Sequence, residues 1–296
     1  MWRGVHVHDH GSHDTLLMDH LGPNLAERSR YFFIRYWEGG PHIRLRLDTR
    51  DEQSFLDLVD SIRASVAGRP NLEASRAGAF QRTQRVLALL EGKPPEDTDA
   101  VAHGHVRVAG YQPEYGKYGG PRGVAIAEDL FVASSRLCLD LLPVMSPAGA
   151  PRLVLGVSTM LSALVGAGMT EPEIIEFLAR YTHVWSGYVS RESWRGWPAR
   201  AAGDRAIVSD AVSAVLSGNP DLAVVEWRDV VAGAVRAVRA EGEALLRDVT
   251  ASGPLSGRKL DFLVCHYLHT HNNRLGVLPD EEAYLAYLAR NVLESG

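Results

Sequence analysis

The stretch that most constrains the fold runs from Tyr31 to Leu47 and reads YFFIRYWEGGPHIRLRL. Two runs of aromatic and branched residues flank the turn residues Trp37-Glu38-Gly39-Gly40-Pro41, which predicts a β-hairpin. The second arm alternates strictly. His42, Arg44 and Arg46 share one face, and Ile43, Leu45 and Leu47 share the other, because strand side chains have period two. Arg35 sits among the aromatics of the first arm, so three arginines and a histidine gather on or near one hairpin. Arginine grips a carboxylate or phosphate through two parallel hydrogen bonds. A solvated or protective charged strand has the same pattern, and spacing alone leaves both readings open.

Around the hairpin, strands dominate the first part of the chain. Gly4 to His10 alternates loosely and Val101 to Tyr111 alternates again, so both read as strands. Helices are expected over Thr15–Ser29, disturbed at Gly22-Pro23, and from Asp51 to Val66, with Leu56, Val59, Ile62 and Val66 as the apolar stripe. A further helix is expected over Leu72–Leu90, followed by a turn-rich surface loop from Gly92 to Thr98. From Val124 the pattern becomes helical. The expected helices are Val124–Leu142, Leu153–Val165, Pro172–His183, Asp204–Leu216, Leu222–Val249, Lys259–His271 and Glu281–Leu293. Strands first and helices afterwards predict an α+β fold. A mixed or antiparallel sheet packs against a mainly helical half, in one domain over 1–296 that is strand-rich over 1–120 and helical over 121–296.

Composition removes several function classes. The net charge is −5, and no basic run carries interleaved aromatics, so no direct nucleic-acid contact is expected. The apolar runs are too short for a bilayer, and the N-terminus has no signal-peptide pattern. Cys138 and Cys265, the only cysteines, lie in apolar helical patterns and read as reduced, which favours the cytoplasm.

Chemistry concentrates in three places. The hairpin is one. The second is YQPEYGKYGGPRG, Tyr111 to Gly123, whose Glu114, Lys117 and Tyr118 stand just before a helix; it lacks the order of a Walker loop. The third is CHYLHTHNNRLGV, Cys265 to Val277, where His269 and Asn273 share a helical face beside Arg274. His6, His8 and His10 share a strand face with metal-capable spacing, but no carboxylate set stands near them in sequence, so no metal is expected. Nucleophile elbows, His-Glu-x-x-His helices and dinucleotide fingerprints are absent. Arginines, a histidine and tyrosines suit anion binding with proton transfer.

In these three motifs, taken in order, the chain resembles the C-terminal domain of class I lanthipeptide dehydratases. It also resembles the stand-alone thiopeptide-type bacteriocin biosynthesis proteins. The resemblance implies glutamate elimination. A separate tRNA-dependent glutamylating dehydratase esterifies Ser or Thr of a precursor peptide, composed of leader and core. The domain then removes the α-proton and expels glutamate, giving dehydroalanine or dehydrobutyrine without a cofactor. On the family pattern His269, Arg44 and Arg46 are catalytic, with His271 the alternative to His269. Arg35, His42, Glu114, Lys117, Tyr118, Asn273 and Arg274 are expected to bind substrate. The pattern departs at Lys117, where the family usually has arginine; lysine keeps the charge and loses the planar grip. The resemblance also admits a thiopeptide pyridine synthase, which joins two dehydroalanines in a formal [4+2] cycloaddition and releases water and leader peptide. A third alternative is a non-catalytic subunit that takes the leader on a sheet edge near Val106.

Overall fold

Alternation in the first hundred residues builds one four-stranded antiparallel sheet. In the computed structural model, β1 (Trp2–His8), β2 (Tyr31–Tyr36), β3 (His42–Asp48) and β4 (Val106–Ala109) stand in the order β2-β3-β1-β4. The structure describes residues 1–28, 30–71, 101–145 and 150–295. The helix expected over Leu72–Leu90 and the loop at Gly92–Thr98 lie outside them. The chain divides into two compact units, Met1–Gln112 and Pro113–Gly296.

In the first unit, Val5, Val7, Phe33, Ile43 and Leu45 have no exposed surface and form the core side of the sheet. Helix α1 (Glu52–Val66) adds Phe55, Leu58, Val59, Ile62 and Val66. Its N-cap is Asp51, whose side chain accepts the Ser54 N–H at 3.1 Å. The helix expected over Thr15–Ser29 is in fact three short pieces, His13–Thr15, a π-type segment Leu16–Leu21 and Gly22–Leu25. Pro23 has no N–H to donate, and the Gly22 N–H reaches back five residues to Leu17 O. β4 is shorter than the strand expected over Val101–Tyr111.

The second unit is helical: α2 (Gly120–Met145), α3 (Ala150–Gly166), α4 (Glu171–Trp185), α5 (Arg191–Leu216), α6 (Leu222–Asp248), α7 (Lys259–Leu275) and α8 (Pro279–Leu293). α8 packs on α4 and α5, α6 packs on α2 and α3, and α7 packs on α2. Trp227, Tyr181, Tyr267 and Phe177 are fully buried among them. The structure starts α5 at Arg191, well before the expected Asp204, with Pro198 inside the helix. α6 is interrupted at Gly242, whose φ of 70° suits glycine. α7 continues past His271 to Leu275 and stops at Gly276, whose φ is 79° and whose N–H returns to Asn273 O at 3.0 Å. The architecture is α+β. Among the described residues no helix is long and apolar enough to cross a membrane.

Candidate functional site

Pairing register decides which polar side chains of the first unit meet. The turn pairs Tyr36 with His42, so Ile34 pairs with Arg44 and Phe32 with Arg46. Across β1, His8 pairs with His42, His6 with Arg44 and Gly4 with Arg46. On the far side, His6 pairs with Arg107 of β4. Directly paired residues point to the same face. One face therefore carries Arg44, Arg46, Arg107, His6, His8 and His42. Arg35 pairs with Ile43 on the opposite face and forms an ion pair with Asp14 at 2.6 Å. That corrects the expectation that Arg35 joins the other hairpin arginines.

These groups hold one another in defined states. His42 has no exposed surface, and its Nδ1 donates to Gly40 O at 2.8 Å. Its Nε2 accepts the Arg44 Nε–H at 3.1 Å. Burial, with Arg44 beside it, pushes His42 down to about 4. Both nitrogens are occupied, so His42 orients Arg44 and is not placed to contact substrate. Arg44 also lies 3.4 Å from the centre of the Tyr36 ring and 3.6 Å from a Glu38 carboxylate oxygen. Arg46 is 7 % exposed; burial, then Arg44, pushes it down to about 10, so it remains a cation at neutral pH. Gly4 makes room for it: a Cβ there would stand 2.9 Å from Arg46 Nη1. His6, His8 and His42 each offer a ring nitrogen within 4.8 Å of the others, which is metal-capable. Guanidinium groups already face both nitrogens of His6 and one of His42, so the local charge favours an anion over a cation.

The second unit carries a different constellation. His269 Nδ1 lies 2.9 Å from Glu282 Oε1, and the His269 ring stacks on Trp185 at 4.1 Å between centroids. Glu282 has no exposed surface. Its Oε2 accepts from the Tyr181 hydroxyl and from Asn272 Nδ2, the latter at 3.2 Å. Burial, then the Glu282 carboxylate, pushes the Tyr181 phenol up. His269 is a quarter exposed, and with Nδ1 donating to Glu282, Nε2 is the acceptor nitrogen of the neutral ring. At the end of α4 that carries Trp185, a cavity of about 380 Å³ is lined by His183, Ser186, Val189, Arg191, Trp194 and Arg195. Glu282, Trp185, Tyr181 and Asn272 escaped the sequence reading. The readable signal was Glu282, an acid standing in line with the apolar positions Leu285, Ala286 and Ala289 of α8.

The remaining expected residues fall elsewhere. His271 is fully buried, stacked on Trp227 at 3.9 Å, with Ser134 Oγ 2.9 Å from Nδ1. Burial, then Arg274, pushes it down to about 3. Arg274 is 1 % exposed and donates to Thr270 O at 2.9 Å and Ser134 Oγ at 3.3 Å. Tyr118 is 3 % exposed, packed against Phe131 and Tyr267. Both were expected to touch substrate, but both lie in the core because their helices turn them inward. Lys117 and Glu114 form an ion pair with each other. Asn273 is half-buried at the last turn of α7.

The family model described as lantibiotic biosynthesis dehydratase C-term matches residues 2–293. Among solved structures, the pyridine synthase TbtD from thiomuracin biosynthesis is 20% identical with a TM-score of 0.75, covering 99% of this chain and 98% of that one. TsrL is 16% identical with a TM-score of 0.66, over 100% and 95% of the two chains. The tRNA-dependent lantibiotic dehydratase MibB from Microbispora sp. 107891 is 19% identical with a TM-score of 0.60. The match covers 99% of this chain and 28% of MibB. No curated protein matches the chain.

Proposed function

Because the chain belongs to the lantibiotic biosynthesis dehydratase C-terminal family, we propose that it matures a ribosomally made precursor peptide by eliminating glutamate. The substrate is O-glutamylated Ser or Thr, and the product is dehydroalanine or dehydrobutyrine. A base removes the Cα proton, the Cβ–O bond breaks, and glutamate leaves with the bonding electrons. The observation that carries this reading is Arg46, a buried cation that meets no carboxylate among the described residues. A buried charge is costly unless paired. A glutamyl carboxylate supplies the pair, and Arg44 beside it supplies a second planar donor. His269 is the proton carrier, and Glu282 is the residue that fixes its Nδ1–H and leaves Nε2 for the transfer. The glutamyl ester comes from a separate tRNA-dependent glutamylating dehydratase. β4 ends the described sheet and offers its outer edge to the leader as an added strand.

A second reading, pyridine formation from two dehydroalanines, is supported by two observations. The likeness to TbtD spans nearly the whole of both chains, and Lys117, where the resemblance implies that arginine is usual, is tied to Glu114. The test is direct. A glutamylated peptide is incubated with the native protein and with Arg44→Ala and His269→Ala, and mass spectrometry follows the adduct. The native protein releases glutamate, and both variants leave the adduct in place. Normal dehydration by both variants overturns the elimination reading. Consumption of a bis-dehydroalanine peptide with release of leader, and none of the glutamylated one, establishes the second.

A further inference from the structure

We propose that Arg107 of β4, with His8 of β1, completes a three-arginine carboxylate site on the sheet face of Arg44 and Arg46. The proposal rests on the elimination reading for the identity of the carboxylate, but its geometry stands within the first unit alone.

The row Arg44–His6–Arg107 crosses three strands, each member directly paired with the next. Arg107 Nη2 lies 3.3 Å from His6 Nδ1, and Arg46 Nη2 lies 3.3 Å from His6 Nε2. A neutral imidazole has one acceptor nitrogen; the other carries hydrogen. His6 therefore satisfies one of the two guanidiniums and turns an N–H toward the other. Protonation makes matters worse, since imidazolium accepts from neither. Burial and the nearby arginines, Arg46 foremost, hold His6 neutral. One guanidinium donor edge is thus left over, and neither Arg46 nor Arg107 meets a carboxylate among the described residues.

His8 supplies a second, independent observation. It is 1 % exposed, and neither ring nitrogen has a hydrogen-bond partner among the described residues. Its ring stacks on His42 at 4.4 Å. A buried imidazole with an unanswered N–H destabilises the fold unless an acceptor reaches it. A metal ion answers His8 but stands among three guanidiniums. A carboxylate answers His8 and the spare arginine together. The sequence signal was present in Val106-Arg107-Val108, which turns Arg107 away from the two valines.

Isothermal titration of the full chain with glutarate, L-glutamate and inorganic phosphate tests the site. Arg107 is exposed, so Arg107→Ala is expected to fold. The native protein is expected to prefer the two carboxylates to phosphate. Arg107→Ala weakens glutarate at least tenfold, Arg107→Lys weakens it less, and Arg50→Ala, a control at an exposed position of the same unit, leaves it unchanged. Equal affinity in Arg107→Ala, no carboxylate binding by the native protein, or stoichiometric Zn²⁺ uptake that His8→Gln abolishes each overturns the proposal. Arg107-dependent glutarate binding without glutamate release from a glutamylated peptide removes the elimination reading and leaves this site standing.

Discussion

His269 and Glu282 pair a part-exposed imidazole with a buried acid: Nδ1 of the histidine is 2.9 Å from Oε1 of a carboxylate that has no exposed surface. The carboxylate fixes the imidazole orientation from below, and Trp185 fixes it from one side. Asn272 and Tyr181 fill the second oxygen. Replacing Glu282 with Gln keeps the shape, removes the charge and sets an amide N–H₂ against the Asn272 donor. We expect Glu282→Gln to lower glutamate release by about 10²-fold or more while the chain stays folded. Glu282→Ala leaves several buried donors without an acceptor and is expected to cost about 2–3 kcal/mol of stability. Turnover and chemical unfolding of the two variants, measured side by side, separate the positioning role from the structural one.

Gly4 is expected to tolerate no side chain. A Cβ at this position would stand 2.5 Å from Ala109 O and 2.9 Å from Arg46 Nη1. The first contact is with backbone of the paired strand and cannot swing away. Gly4→Ala therefore strains the β1–β4 ladder and displaces the Arg46 guanidinium. Overpacking of this sort costs about 1–3 kcal/mol. Urea unfolding reads the stability, and the glutamate-release assay reads the arginine; both are expected to fall.

The hairpin was legible because alternation and turn length together fix register. The same arithmetic separates Arg35 from Arg44: pairing Tyr36 with His42 places Arg35 opposite Ile43. Counting charges along the hairpin without pairing its arms puts all three arginines together, which the register forbids. The α7 motif was legible as a helix but not in its division of labour. Successive residues on a helix point about 100° apart, so His269 reaches Glu282 while His271 and Arg274 turn into the core. Glu282 was hidden among Asp280 and Glu281, which read as acids favouring a helix start. Its partner lies on another helix, and no local pattern records that pairing.

Acid is expected to destabilise the protein through its buried imidazoles. Unfolded histidine titrates near pH 6.5. In the folded chain, burial pushes His271 and His8 down to about 3 and His42 to about 4. Below pH 6.5 the unfolded chain takes up protons that the folded chain refuses. Stability is therefore full above about pH 7 and declines as pH falls through 6.5 toward 4 and 3. Each such group adds a slope of up to about 1.4 kcal/mol per pH unit. Urea midpoints between pH 7.5 and 5 are expected to fall in the native protein, and less steeply in His271→Gln. A flat profile in the native protein contradicts this assignment.

Arg274 is expected to act through stability rather than through substrate. It is 1 % exposed, donates to Thr270 O and Ser134 Oγ, and lies 4.7 Å from the Phe131 ring centre. Burial pushes it down to about 10, so it is charged at neutral pH. Truncation empties a large volume beside α2 and strips Ser134 of a donor. Arg274→Ala is expected to cost roughly 3 kcal/mol or more, in the range of large core truncations. Asn273→Ala, at a half-buried position on the same turn, is expected to cost under about 1 kcal/mol. Arg274→Lys keeps the charge and loses the planar guanidinium whose Nη1 bridges Thr270 O of α7 and Ser134 Oγ of α2, so it is expected to fall between them. Activity per folded molecule is the deciding measurement. If it is unchanged in Arg274→Lys while the melting temperature drops, the arginine braces α7 so that His269 keeps its place. If activity falls with no loss of stability, the guanidinium contacts substrate after all.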